Sequence, residues 1–136
     1  MKINKTLEAA KILFEHKLNK TGLISLNKSI EPSNLDEAYK IQDELKYFYL
    51  SLKNNQTLGK KIGVTNKDAA AQVGINEPFY GNLFTRYCDI NVKELNSKNF
   101  HQPYIEPEIG FRIKNDIDIS QAPFDMNNVD DLFDGL

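Results

Sequence analysis

Residues 104–116 read YIEPEIGFRIKND, with Glu106 and Glu108 two positions apart and Pro107 between them. In a strand, successive side chains point to opposite faces, so the two carboxylates would share a face about 7 Å apart. At that spacing both can reach one hard divalent cation, which prefers oxygen ligands. Gly110 comes next on that face and leaves open space beside them. Pro107 cannot donate a ladder hydrogen bond, so the segment is a strand start, an edge or a bulge, and such irregularities accompany sites. The same alternation also fits a plain amphipathic strand. Ile105, Pro107, Ile109, Phe111 and Ile113 would then face a core, and Glu106, Glu108 and Arg112 would face water.

The second chemical candidate is Lys61 in GKKIGVT. Its same-face neighbours Gly63 and Thr65 are small, so a ligand can approach the ammonium while Ile62 and Val64 pack inward. A helix beginning just after would turn free N–H groups and a positive dipole end toward an anion such as a carboxylate. The alternative is a solvated lysine beside Lys60, since lysines are mostly exposed. His16 lies within a helical pattern and His101 in a polar connector, positions that suit surface or capping roles. A single cysteine, Cys88, and no His-x-x-x-His pair argue against zinc, and Cys88 reads as a small packed side chain. Neither GxGxxG nor GxxxxGK[ST] occurs, and no serine sits in G-x-S-x-G, which argues against a nucleotide loop and an ordinary serine hydrolase.

Those residues need a scaffold. The chain has 136 residues, 40% of them hydrophobic and 26% charged, with a formal charge of -2. That composition suits a globular domain and offers no broad basic field for nucleic acid. We read one domain over 1–136, with a helical region at 1–56 and the start of a β-rich catalytic region at 57–136. No signal-peptide h-region or membrane-length apolar run is present, which points to a cytoplasmic protein without a membrane partner.

Apolar Leu7, Ala10, Phe14 and Leu18 recur at helical spacing between Thr6 and Asn19, with Gly22 beyond. A second helix is expected from Ser33, where Ser33 and Asp36 resemble a capping box and Leu35, Ala38, Ile41, Leu45, Phe48 and Leu52 mark one face. KKIGVT alternates like a short strand, and Thr65 with Asp68 offers a cap for a short helix ending near Gly74. NEPFYGN reads as a turn, LFTRYCDINV and residues 104–116 as strands, and NNVDDLFDGL as a last short amphipathic helix.

Four stretches in order, AAKIL, DEAYKIQ, GKKIGVTNKDAAAQVGINEPFYGNLF and QPYIEPEIGFRI, resemble the 2-oxo acid hydratase and decarboxylase family. The resemblance covers the N-terminal half of such a protein. It implies an α+β fold: N-terminal helices followed by the first strands of a fumarylacetoacetate hydrolase-type mixed β-barrel, truncated here. It also implies that Glu106 and Glu108 are two of three carboxylate ligands to Mg²⁺ or Mn²⁺, the third arising beyond Leu136, and that Lys61 is the active-site lysine. The implied reaction is addition of water to a 2-hydroxy-2,4-dienoate in the manner of 2-keto-4-pentenoate hydratase. A 4-oxalocrotonate decarboxylase-like enzyme is the alternative, and a non-catalytic remnant or partner subunit lacking the third ligand is another. The implied partners are a small 2-oxo acid and either further copies of the chain or a complementary C-terminal chain.

Overall fold

A computed structural model describes residues 4–135 apart from 24, 76 and 102. The chain separates into two compact units, Met1–Gln102 and Pro103–Leu136. Its described elements are helices and small antiparallel sheets, an α+β composition.

In the first unit, α1 spans Lys5–Leu18 and α2 spans Leu35–Leu50. Both begin at asparagine caps: the Asn4 side chain accepts from the Thr6 N–H, and Asn34 accepts from the Glu37 N–H at 2.9 Å. The reciprocal arrangement expected for Ser33 and Asp36 is thus displaced by one residue. With Asn34 as cap, Glu37 falls at the third helical position, and its longer side chain reaches back to accept from both Ser33 N–H (2.9 Å) and Ser33 Oγ (2.8 Å). Lys5 Nζ completes the latch at 2.8 Å from the same carboxylate, tying the start of α1 to the start of α2.

Fully buried Ala9 and Ala10 let α1 approach α2, where Ile41 and, from the connecting loop, Ile30 close the core. Phe14 stacks on Phe48 and meets Tyr49 edge-on, both with ring centroids 5.3 Å apart. Tyr49 in turn touches Phe84 at 4.6 Å, so one aromatic cluster joins both helices to the sheet. Burial pushes the Tyr49 hydroxyl up to about 12, with Tyr87 adding to the effect, so it remains a neutral phenol.

The sheet pairs β1, Thr57–Gly63, antiparallel with β2, Phe79–Phe84. Between them runs α3, Lys67–Val73, capped by Asn66 accepting from Ala69 N–H and closed by Gly74 in the left-handed region at φ 70°. The cap is therefore Asn66 and not the expected Thr65. β2 also differs from expectation. It takes in Phe79–Asn82, read from sequence as turn, and stops at Phe84 before a 3₁₀ turn at Thr85–Tyr87. Buried Asn55 explains the stop: its Oδ1 accepts from the Arg86 N–H at 3.0 Å while its Nδ2 donates to the Tyr49 carbonyl at 2.9 Å. This diverts the chain from the strand path.

In the second unit, β3, Arg112–Ile113, pairs antiparallel with β4, Phe133–Gly135, and the Phe111 and Phe133 rings lie 4.7 Å apart. The alternating strand expected over residues 104–116 is reduced to these two ladder residues, and the helix expected near the C-terminus is a 3₁₀ turn at Asp130–Leu132 leading into β4. Alternation makes a strand only where a partner ladder exists, and residues 104–111 have no strand assignment. Among the described residues, no helix is long and apolar enough to cross a membrane.

Replacing Ala9 with Leu should cost about 1–3 kcal/mol through overpacking of the helix interface, read as a lower urea midpoint. The latch on Glu37 holds its carboxyl down to about 2, chiefly through the Lys5 bond and then Ser33. A depressed folded-state value stabilises above the ordinary carboxylate range and loses that contribution as pH falls toward about 2. Glu37→Gln should lower Tm at neutral pH and flatten this acid limb, as measured by thermal melts across pH 2–7.

Candidate active site

β1 carries adjacent lysines whose fates differ. Lys60 pairs across the ladder with Asn82, donates to Asn82 Oδ1 at 2.7 Å and lies 4.3 Å from the centroid of the Tyr80 ring. Asn82 Nδ2 donates to Gln42 Oε1 at 2.8 Å, and Gln42 Nε2 donates to the Tyr80 carbonyl at 2.9 Å. The Tyr80 N–H donates to the Tyr39 hydroxyl at 3.3 Å, beneath stacked Tyr39 and Tyr80 rings 4.7 Å apart. Tyr39 and Gln42, one helical turn apart on α2, thus grip the backbone of β2 and draw Lys60 into a polar network.

Lys61 follows by strand alternation. It lies on the opposite face, across from Gly81 and flanked by Gly59 and Gly63 on its own strand. A Cβ added at Gly59 or Gly81 would meet no atom within 4 Å, whereas one at Gly63 would press on the Phe79 ring at 3.3 Å. The exposed Lys61 side chain therefore rises from a floor of glycines on the side away from the α2 network. Just beyond, Val64 has φ 60°, a left-handed conformation that a β-branched residue adopts at a cost of about 1–3 kcal/mol. It turns the chain out of β1 toward α3, so Val64 does not continue the strand. Ile62, expected to pack inward, is 58% exposed at the end of the two-stranded sheet.

Glu106 and Glu108 belong to the second unit, on the extended stretch before β3, and both are exposed. The apolar partners expected to be buried behind them are exposed as well: Ile105 by 97% and Ile109 by 75%. A Cβ at Gly110 would meet nothing within 4 Å, in keeping with open space beside the acids. Carboxylate oxygens are the donor type that a hard divalent cation takes, so the pair fits Mg²⁺ or Mn²⁺ in chemistry. Among the described residues, no group of three or more His, Cys, Asp and Glu side chains gathers as a metal site. His16 shares a 2.8 Å hydrogen bond with Thr21 Oγ1 at the end of α1, and the His101 ring packs where a Cβ on Gly22 would clash. Cys88 is half-buried after the 3₁₀ turn.

Sequence reasoning missed Tyr39, Gln42 and Asn82. Their only advance signal was the i, i+3 spacing of Tyr39 and Gln42 within DEAYKIQ; Asn82 gave none, because its partner is remote in sequence.

The chain is 32% identical over 114 residues to 2-keto-4-pentenoate hydratase of Paraburkholderia xenovorans (strain LB400), covering 84% of this chain and 42% of the relative. It has the same identity and coverage with 2-keto-4-pentenoate hydratase 3 of Pseudomonas putida. With the TodF product hydratase of Pseudomonas putida strain F1 it is 29% identical over 126 residues, 93% of this chain and 45% of that protein. Over most of its own length, the chain is homologous to the 2-keto-4-pentenoate hydratases. It spans less than half the length of these curated relatives. No family model matches the chain. No solved structure matches it either.

Gln42→Ala removes the two hydrogen bonds made by the Gln42 side chain, leaving the Tyr39 contact of the α2 grip in place, and should cost about 1–3 kcal/mol. Paired with Asn82→Ala in a double-mutant cycle, it should show coupling of about 0.5 kcal/mol or more by urea unfolding, whereas strict additivity would mean that the two side chains act independently.

Proposed function

We propose that this chain supplies part of the active centre of a divalent-metal-dependent 2-oxo acid hydratase, acting in the cytoplasm on a 2-hydroxy-2,4-dienoate. In this reading its strands are the first of a fumarylacetoacetate hydrolase-type barrel. The observation that carries the proposal is the homology to proteins named 2-keto-4-pentenoate hydratase across 84–93% of the chain. Supporting it, Lys61 sits on the glycine-floored face of β1, opposite the face that carries Lys60.

Glu106 and Glu108 are the chain's own oxygen donors for Mg²⁺ or Mn²⁺. When bound, such a cation would polarise the 2-oxo group of the substrate as a Lewis acid. Lys61 holds the substrate carboxylate by charge and is the chain's candidate for moving a proton during tautomerisation. Gly59 and Gly81, with nothing within 4 Å of where a Cβ would stand, leave room for the substrate beside it. Water added across the conjugated bond gives a 4-hydroxy-2-oxo acid.

The second reading is a subunit that needs further copies or a complementary C-terminal chain. Its specific support is the exposure of Ile105 and Ile109 on the stretch that carries both acids.

The assay follows loss of dienoate absorbance with Mg²⁺, using the 136-residue chain alone and then with the C-terminal part of the Paraburkholderia relative in trans. Lys61→Ala should raise KM if the ammonium only pairs with the carboxylate, or lower kcat by about 10²–10⁴-fold if it also transfers a proton. Glu106→Gln and Glu108→Gln should each raise the Mg²⁺ concentration needed for half-maximal turnover. Turnover only with the added part would select the second reading, and no turnover in either arrangement would sink the hydratase proposal.

A further inference from the structure

On the first unit, a cleft of about 470 Å³ opens between the end of α1, the middle of α2 and β2. Lys17, Lys46, Tyr49, Phe84, Tyr87 and Cys88 are among its lining residues; Lys61 is not. The volume falls in the range of small-molecule sites, roughly 300–1,000 Å³, which combine apolar walls with a few convergent polar groups. The walls are aromatic. Tyr49 meets Phe84 at 4.6 Å and Tyr87 edge-on at 5.8 Å.

The charge of the cleft is one-sided. It is lined by two lysines and by no aspartate or glutamate, in a chain whose acids outnumber its bases. Lys17 Nζ sits 5.5 Å from the Tyr87 ring centroid, and among the described residues neither Lys17 nor Lys46 forms an ion pair. The position of Lys17 in the last turn of α1 satisfies the helix dipole, but that role does not extend to Lys46. The cleft also runs beside β2, which raises the question of an added strand. That occupant fits poorly, because Gln42 and Tyr39 already take the Tyr80 carbonyl and N–H.

We propose that this cleft is a binding site, separate from Lys61, for a small planar carboxylate with an aromatic body. The ring would lie against the exposed Tyr87 ring, over the edges of the nearly buried Tyr49 and Phe84, and the carboxylate would face Lys17 and Lys46. A neutral Tyr49 hydroxyl, kept protonated by burial, adds no repelling charge.

The test uses the 136-residue chain, with benzoate as probe and amide NMR shifts as readout. Benzoate should produce saturable shifts centred on Lys46, Tyr49, Asn82 and Tyr87, while benzyl alcohol and inorganic phosphate should not. Lys46→Gln should weaken benzoate about fivefold through loss of one partly screened charge, with the rest of the spectrum unchanged. Lys17→Gln is the second variant should the first disturb folding. The proposal fails if benzoate gives no saturable shift up to about 10 mM, near the weak limit of specific binding. It also fails if phosphate shifts the same amides equally, if both variants bind benzoate as the parent does, or if an acidic peptide occupies the cleft where benzoate does not.

Discussion

The grip of α2 on β2 is the constraint from which the rest of the candidate site follows. Gln42 holds the Tyr80 carbonyl and the Asn82 side chain at once, and Asn82 passes the restraint to Lys60. A neutral amide is suited to this position because it donates on one side and accepts on the other. With Lys60 committed to that network, the pleat of the strand assigns the opposite face to Lys61. A slip of one residue in the β1–β2 register would exchange the two lysines, which is why a polar clamp with fixed partners matters more here than its modest free energy suggests.

Packing in the first unit combines small alanines and an aromatic cluster with aliphatic side chains such as Ile30, Ile41 and Leu45. Ala9 and Ala10 bring the helices close, and Tyr49 then serves as the shared surface for Phe14, Phe84 and Tyr87. Asn55 ends both α2 and β2 with one buried side chain, so the helix, the strand and the aromatic cluster are positioned together. The second unit has a much thinner interior. Its short β3–β4 pair and the Phe111–Phe133 contact organise it, while Ile105, Ile109 and Ile119 remain largely exposed. An apolar surface of that kind is what a strand shows where its ladder neighbours are not in place.

This contrast explains which parts of the sequence were legible. The helices at 5–18, 35–50 and 67–73 were readable because caps, apolar spacing and Gly74 act within a few residues. Even there, the choice between Ser33 and Asn34 as cap depended on whether the third residue onward could reach back, which Glu37 does. Strands were less legible. PFYGN carried turn residues but became β2 because Gly81 and its neighbours found a partner in β1, and YIEPEIGF alternated cleanly yet gained no ladder.

The sequence by itself determined the helices to within a residue of their caps, the kinship with the hydratases and the identity of the chemical groups at 61, 106 and 108, because these rest on local spacing and residue type. Only the tertiary structure decided that Lys60 is engaged while Lys61 takes the glycine-lined face, that β2 ends at Phe84, and that two lysines and three aromatic rings share one cleft. Face, register and convergence depend on partners distant in the chain, and a pattern of period two cannot name its partner.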